Sequence, residues 1–269
     1  MHEFPCDRPV TVHVRIGAGS VEIVAEERST ATVEVSPYND SEVSREAAEH
    51  ARVEMRQGRL VIEVPEAGAS FLFWRGPKVR IDVRVPLDCA LDVRLASADL
   101  TGHGRYSDAT VKSASGDTYL EHLTGRLVVN TASGDVRLVQ VDGPVQFNGA
   151  SGDLTAQSIA GELVAHSASG DVEIEDIHDS ANVTTASGDV RFGVARRGTV
   201  KLRSASGDVS IGVPAGTGVW LDLTTMSGTT HSDLSTPDPS QQGRQADLTL
   251  QIRTMSGDID LRRVQAAAA

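Results

Sequence analysis

Aromatic residues make up only 4% of this 269-residue chain, so its interior must be filled by aliphatic side chains rather than by rings. Lysine occurs only at Lys78, Lys112 and Lys201, and 25 basic residues stand against 37 acidic ones, a net charge of −12. Such a surface repels a phosphate backbone, which argues against a nucleic-acid binder and makes an anionic membrane a poor partner. The sequence contains no run of 18 apolar residues, and Met1–Pro9 has no apolar stretch behind basic residues. The expectation is a soluble, cytoplasmic chain with no membrane insertion. The two cysteines, Cys6 and Cys89, match no metal or redox spacing. They read as buried thiols in a reducing compartment, with a single disulfide between them as the alternative.

What the chain does have is glycine, 25 residues of it, and much of that glycine falls within Ser-Gly-Asp. The motif's serine recurs at Ser115, Ser133, Ser151, Ser169 and Ser187, each 18 residues after the last. It then recurs at Ser206, Ser227 and Ser256 after 19, 21 and 29 residues, and Ser97 is a degenerate first copy. A fixed period of this size marks one supersecondary unit stacked on its neighbours, with a core shared between units.

Aligned on the serine, the repeats give apolar columns three and five residues after it, for example Val136, Val172 and Val190, then Leu138, Ile174 and Phe192. Matching columns lie four and six residues before it, such as Val129, Phe147 and Val183, then Leu127, Val145 and Leu163. Two alternating arms joined at a tight turn describe a rung of two short strands. The expected fold is all-β: a β-solenoid or β-helix of about nine 18-residue, two-strand rungs. An N-terminal β-rich region carries one short helix near residues 41–50, where Asp40 or Ser41 can serve as N-cap. That region, residues 1–95, also alternates along Val10–Ile16, Ser20–Val24, Arg59–Val64 and Val79–Val85. It is expected to run into the repeat segment of residues 96–264, with 265–269 as a disordered tail.

The repeated Ser/Thr-Ala-Ser-Gly-Asp-Val, seen at Thr131–Val136, Ser167–Val172, Thr185–Val190 and Ser204–Val209, resembles a family of bacterial β-strand-repeat proteins known as putative adhesins, a domain family of unknown function. Gly58–Val61 and the Val85-Pro86 strand end fit the same resemblance. It implies a solenoid-like β fold, no assigned catalytic residues and a surface-exposed relative.

The aspartates form the strongest chemical column: Asp117, Asp135, Asp153, Asp171, Asp189 and Asp208, continued at Asp258. Carboxylates stacked one strand apart repel by about 1 kcal/mol per neighbour in water, so something must offset the repulsion. Calcium between rungs is one solution. The other is a turn in which each carboxylate accepts N–H groups of its own corner, where glycine supplies positive φ. One acidic residue per corner is too few for a full calcium shell, so no cofactor is expected. Hydroxyl pairs such as Thr131/Ser133 and Thr185/Ser187 invite a water-ordering surface, yet the threonines share the parity of the inward columns and are better read as corner hydrogen-bonding groups. Seven equivalent Ser and Asp positions mark no unique triad.

The remaining anomaly is Phe71, Phe73, Trp74 and Arg75, three aromatics in four residues of a chain poor in rings. They form either a plug over the solenoid end or a partner-binding loop. The leading expectation is a non-catalytic binding or scaffolding module with a protein partner. The alternatives are a structural protein assembling end to end, a calcium-stabilised surface adhesin and a carbohydrate-active β-helix enzyme.

Overall fold

Alternation of apolar and polar residues becomes strands with one buried face along nearly the whole chain. The computed structural model describes residues 1–65, 76–234 and 246–265, and within them it forms 22 strands and one helix. The chain divides into two compact units, Met1–Leu138 and Val139–Ala269.

In the first unit the strands are β1 (His2–Pro5), β2 (Thr11–Glu26), β3 (Thr30–Pro37), β4 (Arg52–Arg56), β5 (Arg59–Glu63), β6 (Val79–Pro86), β7 (Cys89–Ser113), β8 (Thr118–Leu123) and β9 (Leu127–Thr131). Strand β2 turns a corner at Gly17–Gly19 and is paired in parallel on both sides. One side meets β5 and β6 in succession, and the other meets β7 from Thr11↔Ala90 to Val24↔His103. The N-terminal region therefore supplies rungs of its own. Its outer edges are covered by antiparallel strands: β4 on β5, β3 on β6, and β1 on β3. Helix α1 (Glu42–Glu49) is capped by Ser41, whose Oγ accepts the Ser44 N–H at 3.2 Å. The helix packs on β3 and β6. The outer edges of β5 and β6 are thus paired by antiparallel strands, and the helix reaches the start of β6, where Ser44 Oγ accepts the Lys78 N–H at 3.1 Å.

Strand β10 (Val136–Val141) spans the point of division. The second unit continues with β11 (Val145–Gly149), β12 (Leu154–Ile159), β13 (Leu163–Ser167), β14 (Val172–Ile177), β15 (Ala181–Thr185), β16 (Val190–Ala195), β17 (Gly198–Ser206), β18 (Val209–Pro214), β19 (Val219–Ser227), β20 (Thr230–Ser232), β21 (Leu248–Ser256) and β22 (Ile259–Val264). Parallel partners lie one period apart, as in Val145↔Leu163 and Leu163↔Ala181.

The last two rungs depart from sequence order. Strand β17 pairs with β21, and β21 in turn pairs with β19. In the same way β18 pairs with β22, and β22 with β20. The chain skips one rung position, lays down β19–β20, and returns to fill the gap with β21–β22. The long spacings before Ser227 and Ser256 are the linkers of that detour.

The apolar columns are buried as the period demands: Val129, Ala165, Val183, Leu202 and Ile252 are almost fully enclosed. Volume is balanced between rungs, with Phe147 paired to Ala165. Gly149 replaces the hydroxyl found at this corner position in Thr131 and Ser167, because a Cβ there would lie 2.6 Å from Phe147 Cζ.

Tyr106 is the largest fully buried side chain in the first unit, its hydroxyl 2.6 Å from Ile23 O and 2.8 Å from His103 O. Both cysteines are free, buried thiols, and Cys89 Sγ accepts the Val10 N–H at 3.3 Å. Burial pushes the Cys89 thiol from 9.0 up to about 11 and raises Tyr106 as well. Acids whose folded pKa is raised stabilise the fold below their unfolded pKa, and that contribution is lost as pH rises through the folded value. The melting temperature should therefore hold up to about pH 9 and fall towards pH 11, less steeply in Cys89→Ala. A calorimetric profile that stays flat across that window would contradict this account.

Candidate functional site

The repeated corner is where the unusual residues of each rung converge. Inside it, a hydroxyl accepts the glycine N–H three residues on: Ser113 Oγ from Gly116 at 2.9 Å, Thr131 Oγ1 from Gly134 at 3.0 Å, and Thr185 Oγ1 from Gly188 at 3.0 Å. Outside it, within each unit the aspartates accept from the next rung, not from their own turn. The N–H of Asp117 donates to Asp99 Oδ1 at 3.0 Å, and that of Asp135 to Asp117 Oδ1 at 2.9 Å. In the second unit the ladder runs from Asp171 to Asp153, Asp189 to Asp171, Asp208 to Asp189 and Asp258 to Asp208, each at 2.8 Å. It ends where Thr229, in the position of an aspartate, donates both its N–H and its hydroxyl to Asp258 Oδ1. Those two bonds hold the Asp258 carboxyl below the usual carboxylate range. A charge-assisted hydrogen bond at each step offsets the repulsion between stacked carboxylates.

Glycine has a different role at these corners from the one expected. Gly116, Gly134, Gly170 and Gly188 do not have positive φ. A Cβ on any of them would collide with the backbone carbonyl of the rung below. Close approach between rungs, not left-handed backbone, selects glycine here.

Gly207 and Gly257 are the exceptions, with φ of 150° and 154°. Their N–H groups donate across to Ser256 O and Ser227 O, and Ser204 Oγ and Thr254 Oγ1 are left buried without a hydrogen-bond partner among the described residues. Thr185→Val should therefore cost about 1–3 kcal/mol by orphaning a buried N–H, whereas Thr254→Val should be neutral or slightly stabilising. Urea denaturation of both variants checks this; equal losses would contradict the corner assignment.

Among the described residues, no group of three or more His, Cys, Asp or Glu is arranged to hold a metal ion. Phe71, Phe73, Trp74 and Arg75 lie outside the described residues. Two polar groupings had no signal in the linear sequence because distant strands assemble them. Asp82 on β6 stands between Glu34 on β3 and Glu22 on β2; burial, then the Glu22 charge, raises its pKa. On the other arm, Asp92 receives His13 Nδ1 and Arg59 Nη2, both at 2.9 Å. The Asp92 grouping ties β7 to β2 and β5, whereas the Asp82 grouping places like charges side by side across three strands.

Parallel rungs with an internal hydroxyl, a close-packed glycine and an external carboxylate ladder define a β-solenoid built of strand repeats. The chain belongs to the Toastrack DUF4097 family, whose profile matches residues 12–262. No curated protein matches the sequence. Among solved structures it is similar to a putative adhesin from Parabacteroides merdae ATCC 43184, with a TM-score of 0.50 at 10% identity over 98% of this chain and 95% of that one. A putative adhesin from Bacteroides fragilis NCTC 9343 aligns with a TM-score of 0.46 at 10% identity, covering 97% and 95% of the two chains. A putative lipid binding protein from Parabacteroides distasonis ATCC 8503 gives 0.49 at 12% identity, covering 98% and 96%. Among the described residues no helix is long and apolar enough to cross a membrane.

Proposed function

We propose that the protein is a non-catalytic binding or scaffolding module whose partner is another protein. The carrying observation is the contrast between corners that repeat and outward columns that do not. One arm shows Lys112, Asn130, Asn148, His166, Thr184 and Arg203; the other shows Tyr119, Arg137, Thr155, Glu173 and Arg191. A repeated ligand would call for a uniform column, and an enzyme for one distinct polar cluster. A rigid surface whose chemistry changes rung by rung instead suits recognition of a single shaped partner. The adhesin name carried by the structure from Parabacteroides merdae is in keeping with such a role.

The test is affinity capture from the native cell lysate, followed by titration of the captured protein against surface variants. Exchanging the exposed Arg191–Glu173 pair, 3.5 Å apart, for its charge reversal samples one face, and equivalent swaps sample the others. Loss of binding in one such variant with an unchanged melting temperature supports the reading. A turnover of a polysaccharide or ester that disappears with one point substitution in a folded protein overturns it.

A further inference from the structure

We infer that the outer edge of β19 is a docking site for a second copy of this chain, which adds its own β19 antiparallel across a twofold axis. This goes beyond the binding role proposed above and does not depend on it. Among the described residues β19 pairs only with β21, and β20 only with β22, so the other side of this rung presents unpaired backbone groups. The consequence is visible in the side chains. Leu250 on β21 is 0% exposed, whereas Leu221, its register partner on β19, is 37% exposed. Six large apolar side chains are exposed among the described residues, and four of them sit on these two strands: Trp220, Leu221, Met226 and Met255. The two methionines stand in the column that carries Ala114, Ala132, Ala168, Ala186 and Ala205 in earlier rungs. An open strand edge rimmed by such side chains is a template for strand addition.

Charge and register select a second copy. Asp222 is the single charged residue of β19, and it lies 3.7 Å from Arg253. An antiparallel pairing centred on Leu223 sets Asp222 opposite Thr224 of the second copy, and Trp220 opposite its Met226, a sulfur–aromatic contact made twice. It also brings the two Arg253–Asp222 pairs together, each arginine close to both carboxylates. Centring on Asp222 instead would oppose two carboxylates. Four apolar side chains from each copy, with the strand backbones, bury on the order of 1,000 Å² in total, the lower end for specific association. A micromolar dimer is the expected strength.

A twofold pairing closes on itself, because it uses the same edge of both copies. The carboxylate ladder stops at Thr229, so this corner offers a further parallel rung no acceptor. The outer edges of β5 and β6 are already paired by β4 and β3.

Sedimentation velocity on the full chain, from micromolar to millimolar concentration, tests the inference. The expected result is a monomer–dimer equilibrium that Trp220→Lys and Met226→Lys each weaken at least tenfold without lowering the melting temperature, while Met226→Leu preserves it. In Leu223→Cys, mild oxidation should link two copies through the new residue. A strict monomer at millimolar concentration overturns the inference. If Trp220 in a Trp74→Phe background were then shielded from iodide, the edge would belong to residues 235–245 of the same chain. Species larger than a dimer, or a dimer untouched by both lysine variants, would also overturn it.

Discussion

Replacing Gly134 by alanine should destabilise the protein by about 3 kcal/mol or more, near the upper range for a single methyl group. The added Cβ would lie 2.7 Å from the Gly116 carbonyl carbon and closer still to its oxygen. Both atoms belong to the backbone of the neighbouring rung, so no side chain can swing away to make room. Relief requires the two rungs to separate at the corner, which stretches the bond from Ser133 N–H to Ala114 O and the ladder bond from Asp135 N–H to Asp117 Oδ1. For a domain of this size the melting temperature should fall by roughly 6–12 °C. Gly17→Ala is the matched control: nothing lies within 4 Å of its Cβ and its φ is ordinary, so it should be close to neutral. Equal effects at the two positions would show that inter-rung contact does not explain the glycine.

Ending the chain after Leu234 should unfold more than it removes. The deleted part contains β21 and β22, which lie between β17–β18 and β19–β20. Residues 219–232 remain in such a chain but lose their sole strand partners among the described residues. Their amides should exchange at the rate of an unstructured segment, while β15 and β16 stay protected. If the rungs stacked in sequence order, β19–β20 would rest on β17–β18 and keep its protection. Hydrogen exchange by mass spectrometry separates these outcomes.

Much of the architecture is legible in the residues. A period of 18 with two alternating arms dictates parallel pairing at that offset, since a one-residue slip would turn every Val, Leu and Ile outward. The Ser41 cap and the family resemblance are legible for a similar reason: each rests on residues close together in the chain. Corner chemistry was less so. Asp117, Asp135 and their successors could be recognised as turn residues, but a carboxylate that bonds its own turn and one that bonds the next rung have the same sequence. Likewise, glycine at a close contact and glycine at positive φ cannot be told apart until the neighbouring carbonyl is in place. The groupings around Asp82 and Asp92 join strands dozens of residues apart, and only pairing brings them together.

The sequence by itself determined the repeat, the inward columns and the family, because these follow from local periodicity and from the obligation to bury one face of every strand. The order of the last rungs is a matter of tertiary structure alone. Strands β19 and β21 both present alternating apolar residues, so either could follow β17, and local pattern does not distinguish them. The choice rests on what each strand gains from neighbours on both sides. Leu248, Leu250 and Ile252 are fully enclosed in the interior position, and the strand bearing Trp220 and Met226 is left at the edge.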